Sequence, residues 1–199
     1  MKDLSQTSDN DLLRRIMAGD EIAFRQIYRR RQGAIYRFAL QMSGSRQIAE
    51  DVTQDAFLAL VSEPRNFDPR RGSLVSYLYG IARNRTLQYL EQGRLHVSLA
   101  PEAGHDAFGS TGLQVETSDP LAYLTKREDV ERLQEAILAL PFRYREVVVM
   151  CDLHEMDYAQ AAATIGCALG TVRSRLHRAR NLLLRKIQAS SAGVVTPAG

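Results

Sequence analysis

The 199-residue chain has no tryptophan, two cysteines and only three lysines, Lys2, Lys126 and Lys186. Cys151 and Cys167 cannot build a disulfide framework, so they read as free thiols of a reducing compartment. No window nears the roughly 18 to 20 uninterrupted apolar residues of a spanning helix. Met1 to Asn10 (MKDLSQTSDN) also lacks the apolar run of a secretion signal. A cytoplasmic protein with no membrane insertion is therefore expected. The alternating apolar and polar runs of half-buried strands are almost missing. There is no P-loop, no Gly-rich dinucleotide turn, no nucleophile elbow and no HExxH, so nothing points to an enzyme or to a cofactor.

What is present is an ordinary globular balance, 45% hydrophobic and 25% charged, with a formal net charge of +3. Of the 26 basic residues, 23 are arginine, whose fork matches phosphates and base edges. Their placement is uneven. Residues 1–93 hold 14 basic and 11 acidic side chains, 94–125 hold 1 and 4, and 126–199 hold 11 and 8. The middle stretch carries Gly104, Gly109, Gly112, Pro101 and Pro120, is net acidic and shows no sustained period, so it reads as a flexible linker between two small helical domains. After Asp157 the chain has no acid, yet Arg173, Arg175, Arg178, Arg180, Arg185 and Lys186 follow, a one-signed run suited to a polyanion.

Helical periodicity on both sides of the linker predicts an all-α fold. The expected helices are Asp11–Ala18, Ile22–Met42 with Phe24, Ile27, Tyr28, Ile35, Phe38 and Met42 inward, Gln47–Ser62 capped by Ser45, and one from Ser73 to about Gln92. Beyond the linker come Ala122–Leu140, Tyr144–Leu153, Tyr158–Thr164 capped by Asp157, and Thr171 to about Gln188, with a small-residue tail expected to be disordered from about 189. A short helix, a turn at Gly166 and a second helix rich in arginine form a helix-turn-helix pattern, whose second helix enters the DNA major groove. Arg173, Ser174, Arg175, His177 and Arg178 are of the types that reach base edges and phosphates, while Val172, Leu176, Ala179 and Leu183 face inward.

Three segments, AEDVTQDAFLAL (Ala49–Leu60), FDPRRGSLVSYLYGIARNR (Phe67–Arg85) and GTVRSRLHRAR (Gly170–Arg180), in this order with a linker between the second and third, resemble the extracytoplasmic-function (ECF) sigma factors of bacterial RNA polymerase. The resemblance covers about Asp11 to Ile187. It implies a sigma region 2 in 1–93, a linker in 94–125 and a sigma region 4 in 126–199. It also implies promoter DNA, core RNA polymerase and an anti-sigma factor as partners.

By that resemblance, Asp51, Gln54, Asp55, Phe57 and Leu58 dock on the polymerase clamp helices. Pattern alone reads the same helix face as solvated acid beside a core stripe. Phe67, Arg70, Arg71, Tyr77, Arg83, Asn84 and Arg85 fall in the stretch that captures and melts the minus-10 element, where cationic backbone contacts and aromatic surfaces suit a single strand. Many relatives place a tryptophan near Tyr77, which by pattern alone could equally be core. Arg173, Ser174, His177 and Arg178 match minus-35 readers, with Thr171 and Arg175 as phosphate contacts. The sequence departs from many relatives at Ala168, where proline is common, and at Ala161-Ala162. Three rival readings remain at this point. A sigma-like decoy for an anti-sigma factor would not need the basic helix and loop retained here. A response regulator would need an α/β receiver. A metal site of Cys151, His154, Cys167 and His177 would lack the spacing of a common zinc finger.

Overall fold

The computed structural model describes residues 7–68, 72–97 and 120–192, and among them the fold is all-α. Four helices form the first half: α1 (Asp9–Met17), α2 (Glu21–Ser43), α3 (Arg46–Ser62) and α4 (Leu74–Val97), with a 3₁₀ turn at Pro64–Asn66. Four more form the second: α5 (Pro120–Leu138), α6 (Phe142–Val148), α7 (Tyr158–Ile165) and α8 (Leu169–Ala192), with a π-helical turn at Val149–Leu153 between α6 and α7.

Local chemistry sets the ends. Ser8, Asp20, Ser45 and Asp157 each accept a backbone N–H of the first turn of α1, α2, α3 and α7. Ser73 does the same for the amide of Ser76 at the start of α4. Gly44 and Gly166 close α2 and α7 in the left-handed region, with φ 74° and 77°. α1 starts two residues before its expected position because Ser8, not a later residue, is its cap. Pro141 precedes α6, which opens at Phe142 instead of Tyr144. The expected single helix to Leu153 gives way to the π-turn, where the His154 amide reaches back to the Val149 carbonyl. Residues 94–97 and 120–125, expected in the linker, belong to α4 and α5, and α8 runs on to Ala192. The rest of the expected linker and of the tail lies outside the described residues.

α2, α3 and α4 pack around Ile35, Phe38, Met42, Val52, Leu60 and Leu78, with α1 laid across α2 through Leu12 and Leu13. α6, α7 and α8 pack around Val147, Met150, Ala161, Val172, Leu176 and Ala179. The two halves touch: α4 packs on α7, and α2 packs on α5, α6 and the π-turn. A Cβ on Gly44 would lie 2.9 Å from Cδ1 of Leu138 on α5, so this glycine serves a close approach as well as a turn.

Candidate nucleic-acid and protein interfaces

Three surfaces collect the candidate residues. On α3, the i, i+3, i+4, i+7 face points outward as its spacing requires, with Gln54 exposed, Leu58 59% exposed, and Asp51 and Asp55 half-buried. Gln47 donates to Asp51 at 3.1 Å, and Tyr89 on α4 donates its hydroxyl to Asp55 at 3.2 Å. Phe57 points the other way. It is 2% exposed and stacks edge-on with Tyr28 (4.8 Å) and Phe24 (6.4 Å), so as the protein stands it supports the surface instead of forming it.

Beside this face lies a groove of about 870 Å³ between α2 and α3, lined by Tyr28, Tyr36, Gln54, Phe57, Leu58 and Val61 among others. The α2 wall was not anticipated. Tyr28, expected in the core, is 37% exposed at the groove. Its signal in the sequence was the width of the α2 stripe, which carries more large residues than one buried face can hold.

The second surface begins after α3. Phe67 is buried and Tyr77 half-buried, their rings 5.5 Å apart and edge-on. Burial foremost, then the Glu63 carboxylate, pushes the Tyr77 phenol above its usual value. The two rings wall a cavity of about 330 Å³ whose polar lining includes Asn66, Ser73, Ser76 and Asn84. An aromatic wall with amide and hydroxyl groups around it suits a single unstacked base. Asn84 and Arg85 are exposed, Arg85 leaning on Gln88 at 3.1 Å and Asp55 at 3.5 Å. Arg70 and Arg71 lie outside the described residues. Arg83 is turned away from solvent: its Nε donates to Glu146 on α6 at 2.6 Å, and its guanidinium sits over the Phe142 ring.

The third surface is α8. Arg173, Ser174, His177 and Arg178 are exposed in its first half, and the four inward residues are the ones expected. Hydrogen bonding from Arg178 is the main cause that lowers the Tyr144 phenol below its ordinary value. The Ser174 hydroxyl donates to the Thr171 carbonyl at 3.1 Å. Arg175 faces inward and donates to Glu146 at 3.1 Å, and Arg180 forks onto Asp152 at 2.6 and 3.1 Å. The run with no acid of its own thus receives two from the preceding α6 and π-turn. Arg173, His177 and Arg178 stand outward in the first half of α8, and Arg185 is exposed further along it.

Glu146, 1% exposed, is held between Arg83 and Arg175. Burial raises its pKa above the ordinary carboxylate value, while both guanidiniums pull the other way. The four residues weighed as metal ligands have other surroundings. His154 Nε2 is 2.9 Å from the Gln41 carbonyl oxygen, which can only accept, so Nδ1 accepts from the Tyr79 hydroxyl at 2.7 Å. Burial, then the nearby Arg37 charge, lowers His154 to about 4, leaving it neutral. Burial pushes the Cys151 thiol up to about 11, Cys167 is half-buried, and His177 sits beside Asn181 on the exposed side of α8.

Comparison with known proteins places a family on this architecture. A Sigma-70 region 2 family model matches residues 27–95, which spans α2 to α4, and a Sigma-70, region 4 model matches residues 130–183, from within α5 into α8. The chain is 33% identical over 172 residues to the ECF RNA polymerase sigma factor SigE of Mycolicibacterium smegmatis, covering 83% of this chain and 63% of that protein. It is 31% identical over 189 residues to the ECF RNA polymerase sigma factor SigM of Mycobacterium tuberculosis, covering 95% and 89%. The sigma factor RpoE, solved in complex with the anti-sigma factor NepR from Bartonella quintana, is similar with a TM-score of 0.67 and 25% identity, covering 83% of this chain and 96% of that one. With two sigma regions in order on two helical bundles, and 31% identity to SigM over 95% of its own length, the chain belongs to the ECF family of RNA polymerase sigma factors.

Proposed function

We propose that this protein is a promoter-specificity subunit: it binds core RNA polymerase in the cytoplasm and directs transcription initiation. The observation that carries the reading is the pairing, in one chain, of an outward acidic and apolar face on α3 with an outward cationic face on α8. In this reading residues 1–93 act as region 2. Asp51, Gln54, Asp55 and Leu58 meet the polymerase clamp helices over the Phe57 support. The Phe67–Tyr77 cavity takes an extruded minus-10 base, and Asn84, Arg85, Arg70, Arg71 and Arg83 hold the strand around it. The aromatic wall offsets the few kcal/mol of stacking lost when a base leaves the duplex.

Residues 126–199 act as region 4. Arg173, Ser174, His177 and Arg178 enter the minus-35 major groove, with Thr171 toward a phosphate, while Arg175, matched by resemblance to a phosphate contact, stays on Glu146 and braces the helix. The acidic linker 94–125 runs through the polymerase, its charge keeping it off the DNA it passes. An anti-sigma factor that covers both faces is the expected regulator, and the RpoE–NepR complex supports this. Run-off transcription with purified core polymerase tests the reading. Arg173→Ala with Arg178→Ala is expected to abolish promoter-directed transcripts. Unchanged transcripts would refute the role of α8.

A further inference from the structure

The segment that opens α6, Pro141 to Glu146 (PFRYRE), brings arginines and no acid to the first turn of the helix. The positive end of a helix is the wrong place for a cation, which costs stability there unless a partner offsets it. Arg145 is offset: its guanidinium donates to the carbonyls of Met42, Leu138 and Leu140. Arg143 is exposed, and its guanidinium carbon lies 4.9 Å from the centroid of the Tyr144 ring. A cation over a solvent-facing ring is a weak contact and cancels no charge.

Tyr144 also ties this end of α6 to α8, against which α6 packs. Its hydroxyl accepts from Arg178 foremost and from Arg143 as well. Two guanidiniums from different helices thus share one phenol oxygen, which, unlike a carboxylate, does not cancel two positive charges. Arg83, Arg175 and Arg180 each have a carboxylate, whereas among the described residues neither Arg143 nor Arg178 is paired with one. Like charges gathered on such an acceptor repel, and an anion seated against them relieves the repulsion.

We infer that Arg143 is a further DNA contact: with Tyr144 and Arg178 it forms a seat for a backbone phosphate at the edge of the duplex that α8 reads. This rests on the assignment of α8 to duplex DNA under the proposed function. The anion is a phosphate of that duplex because the cluster continues the outward face of α8, where Arg178 follows exposed Ser174 by one helical turn. Whatever lies against Ser174 and Arg178 reaches Arg143, whose planar fork matches two phosphate oxygens. Such a contact carries no base information, so Arg143 sets register and affinity while base reading stays with α8. Arg143 escapes a sequence reading because it stands outside the helix-turn-helix.

The test uses holoenzyme reconstituted with the full-length chain and a labelled promoter duplex that the run-off assay identifies. Each phosphate around the minus-35 block is replaced in turn by a neutral methylphosphonate. One position at the edge of the block is expected where neutralisation weakens wild type and leaves Arg143→Ala unaltered. Over a salt series the same variant should lose about 0.9 from the slope of log affinity against log salt, so its deficit against wild type narrows about 3.5-fold between about 50 and 200 mM salt. Arg143→Lys keeps the charge and should keep the slope. The melting temperature of Arg143→Ala should hold or rise, since a cation leaves the positive end of α6. An unaltered slope in Arg143→Ala would overturn the inference and leave the cluster to an acidic protein partner or, if the melting temperature falls, to a purely structural role. Identical methylphosphonate profiles in the two proteins, or equal loss of slope in Arg143→Lys, would overturn it too. Run-off transcription by wild type separates the two claims. Transcripts together with a wild-type slope in Arg143→Ala sink the phosphate seat alone, and no transcripts from any promoter sink the functional reading.

Discussion

Arg175→Ala and Arg178→Ala each remove one guanidinium from α8, three residues apart, and the structure assigns them different outcomes. Arg178 is exposed, whereas Arg175 is engaged by buried Glu146. Each phosphate neutralised on duplex DNA adds about 0.9 to the slope of log affinity against log salt. Arg178→Ala is expected to lower that slope by about 0.9 if it meets a phosphate. If it meets a base edge instead, it should cost about 1–3 kcal/mol of discrimination at one position. Arg175→Ala should leave the slope unaltered, since the side chain already has a carboxylate partner within the same half of the molecule. Its effect falls on stability. Truncating one partner of a buried ion pair costs about 3–5 kcal/mol, and because Glu146 keeps Arg83, about half of that is expected here. Anisotropy of a labelled promoter duplex with the reconstituted holoenzyme over a salt series gives the slopes, and urea unfolding of the free variants gives the stability. Equal loss of slope in both variants, with no loss of stability in Arg175→Ala, would refute the placement of Arg175.

Gly44→Ala should destabilise the chain by about 2–3 kcal/mol, combining the left-handed φ of 74° with the clash against Leu138. Placing Leu138→Ala in the same chain should return the clash share. Strict additivity in urea titrations would show that α2 and α5 do not meet. Leu58→Ala, at an exposed site, should leave the melting temperature nearly unchanged and weaken core polymerase binding by tenfold or more, whereas Phe57→Ala should cost about 3–5 kcal/mol of stability. The reverse pattern in calorimetry and binding would move Phe57 to the interface. His154 is neutral when folded, with its pKa lowered from 6.5 to about 4. The unfolded chain therefore binds the extra proton first, so the stability this burial confers is present above pH 6.5 and falls as the pH drops toward 4. The loss is up to about 3 kcal/mol at 1.36 kcal/mol per unit. His154→Gln should flatten the acid limb of a stability–pH curve over that window, and an unchanged limb would place the titration elsewhere.

The helices were legible because their signals are local. Ser45, Asp157 and Gly166 act as caps and turn in the positions their residue types suggest, and the inward face of α8 follows from 3.6-residue spacing. The π-turn was not legible, since Val147 to Leu153 carries the same apolar pattern whether the hydrogen bonds close to the fourth or the fifth residue. Among site residues, exposure of Gln54, Leu58, Arg173 and Arg178 could be read from periodicity alone. The fates of Phe57, Arg83 and Arg175 could not, because each depends on a partner far along the chain: Tyr28, Glu146, and Glu146 again. A helix with no acid in its sequence can still have its cations paired from another element.

The most direct measurement is run-off transcription by the wild-type chain with purified core polymerase on a promoter library, with core enzyme alone as the control. The account predicts transcripts that depend on the chain and share two sequence blocks, one near minus-35 and one near minus-10. Transcripts without both blocks, or none above the core-only background, would contradict it.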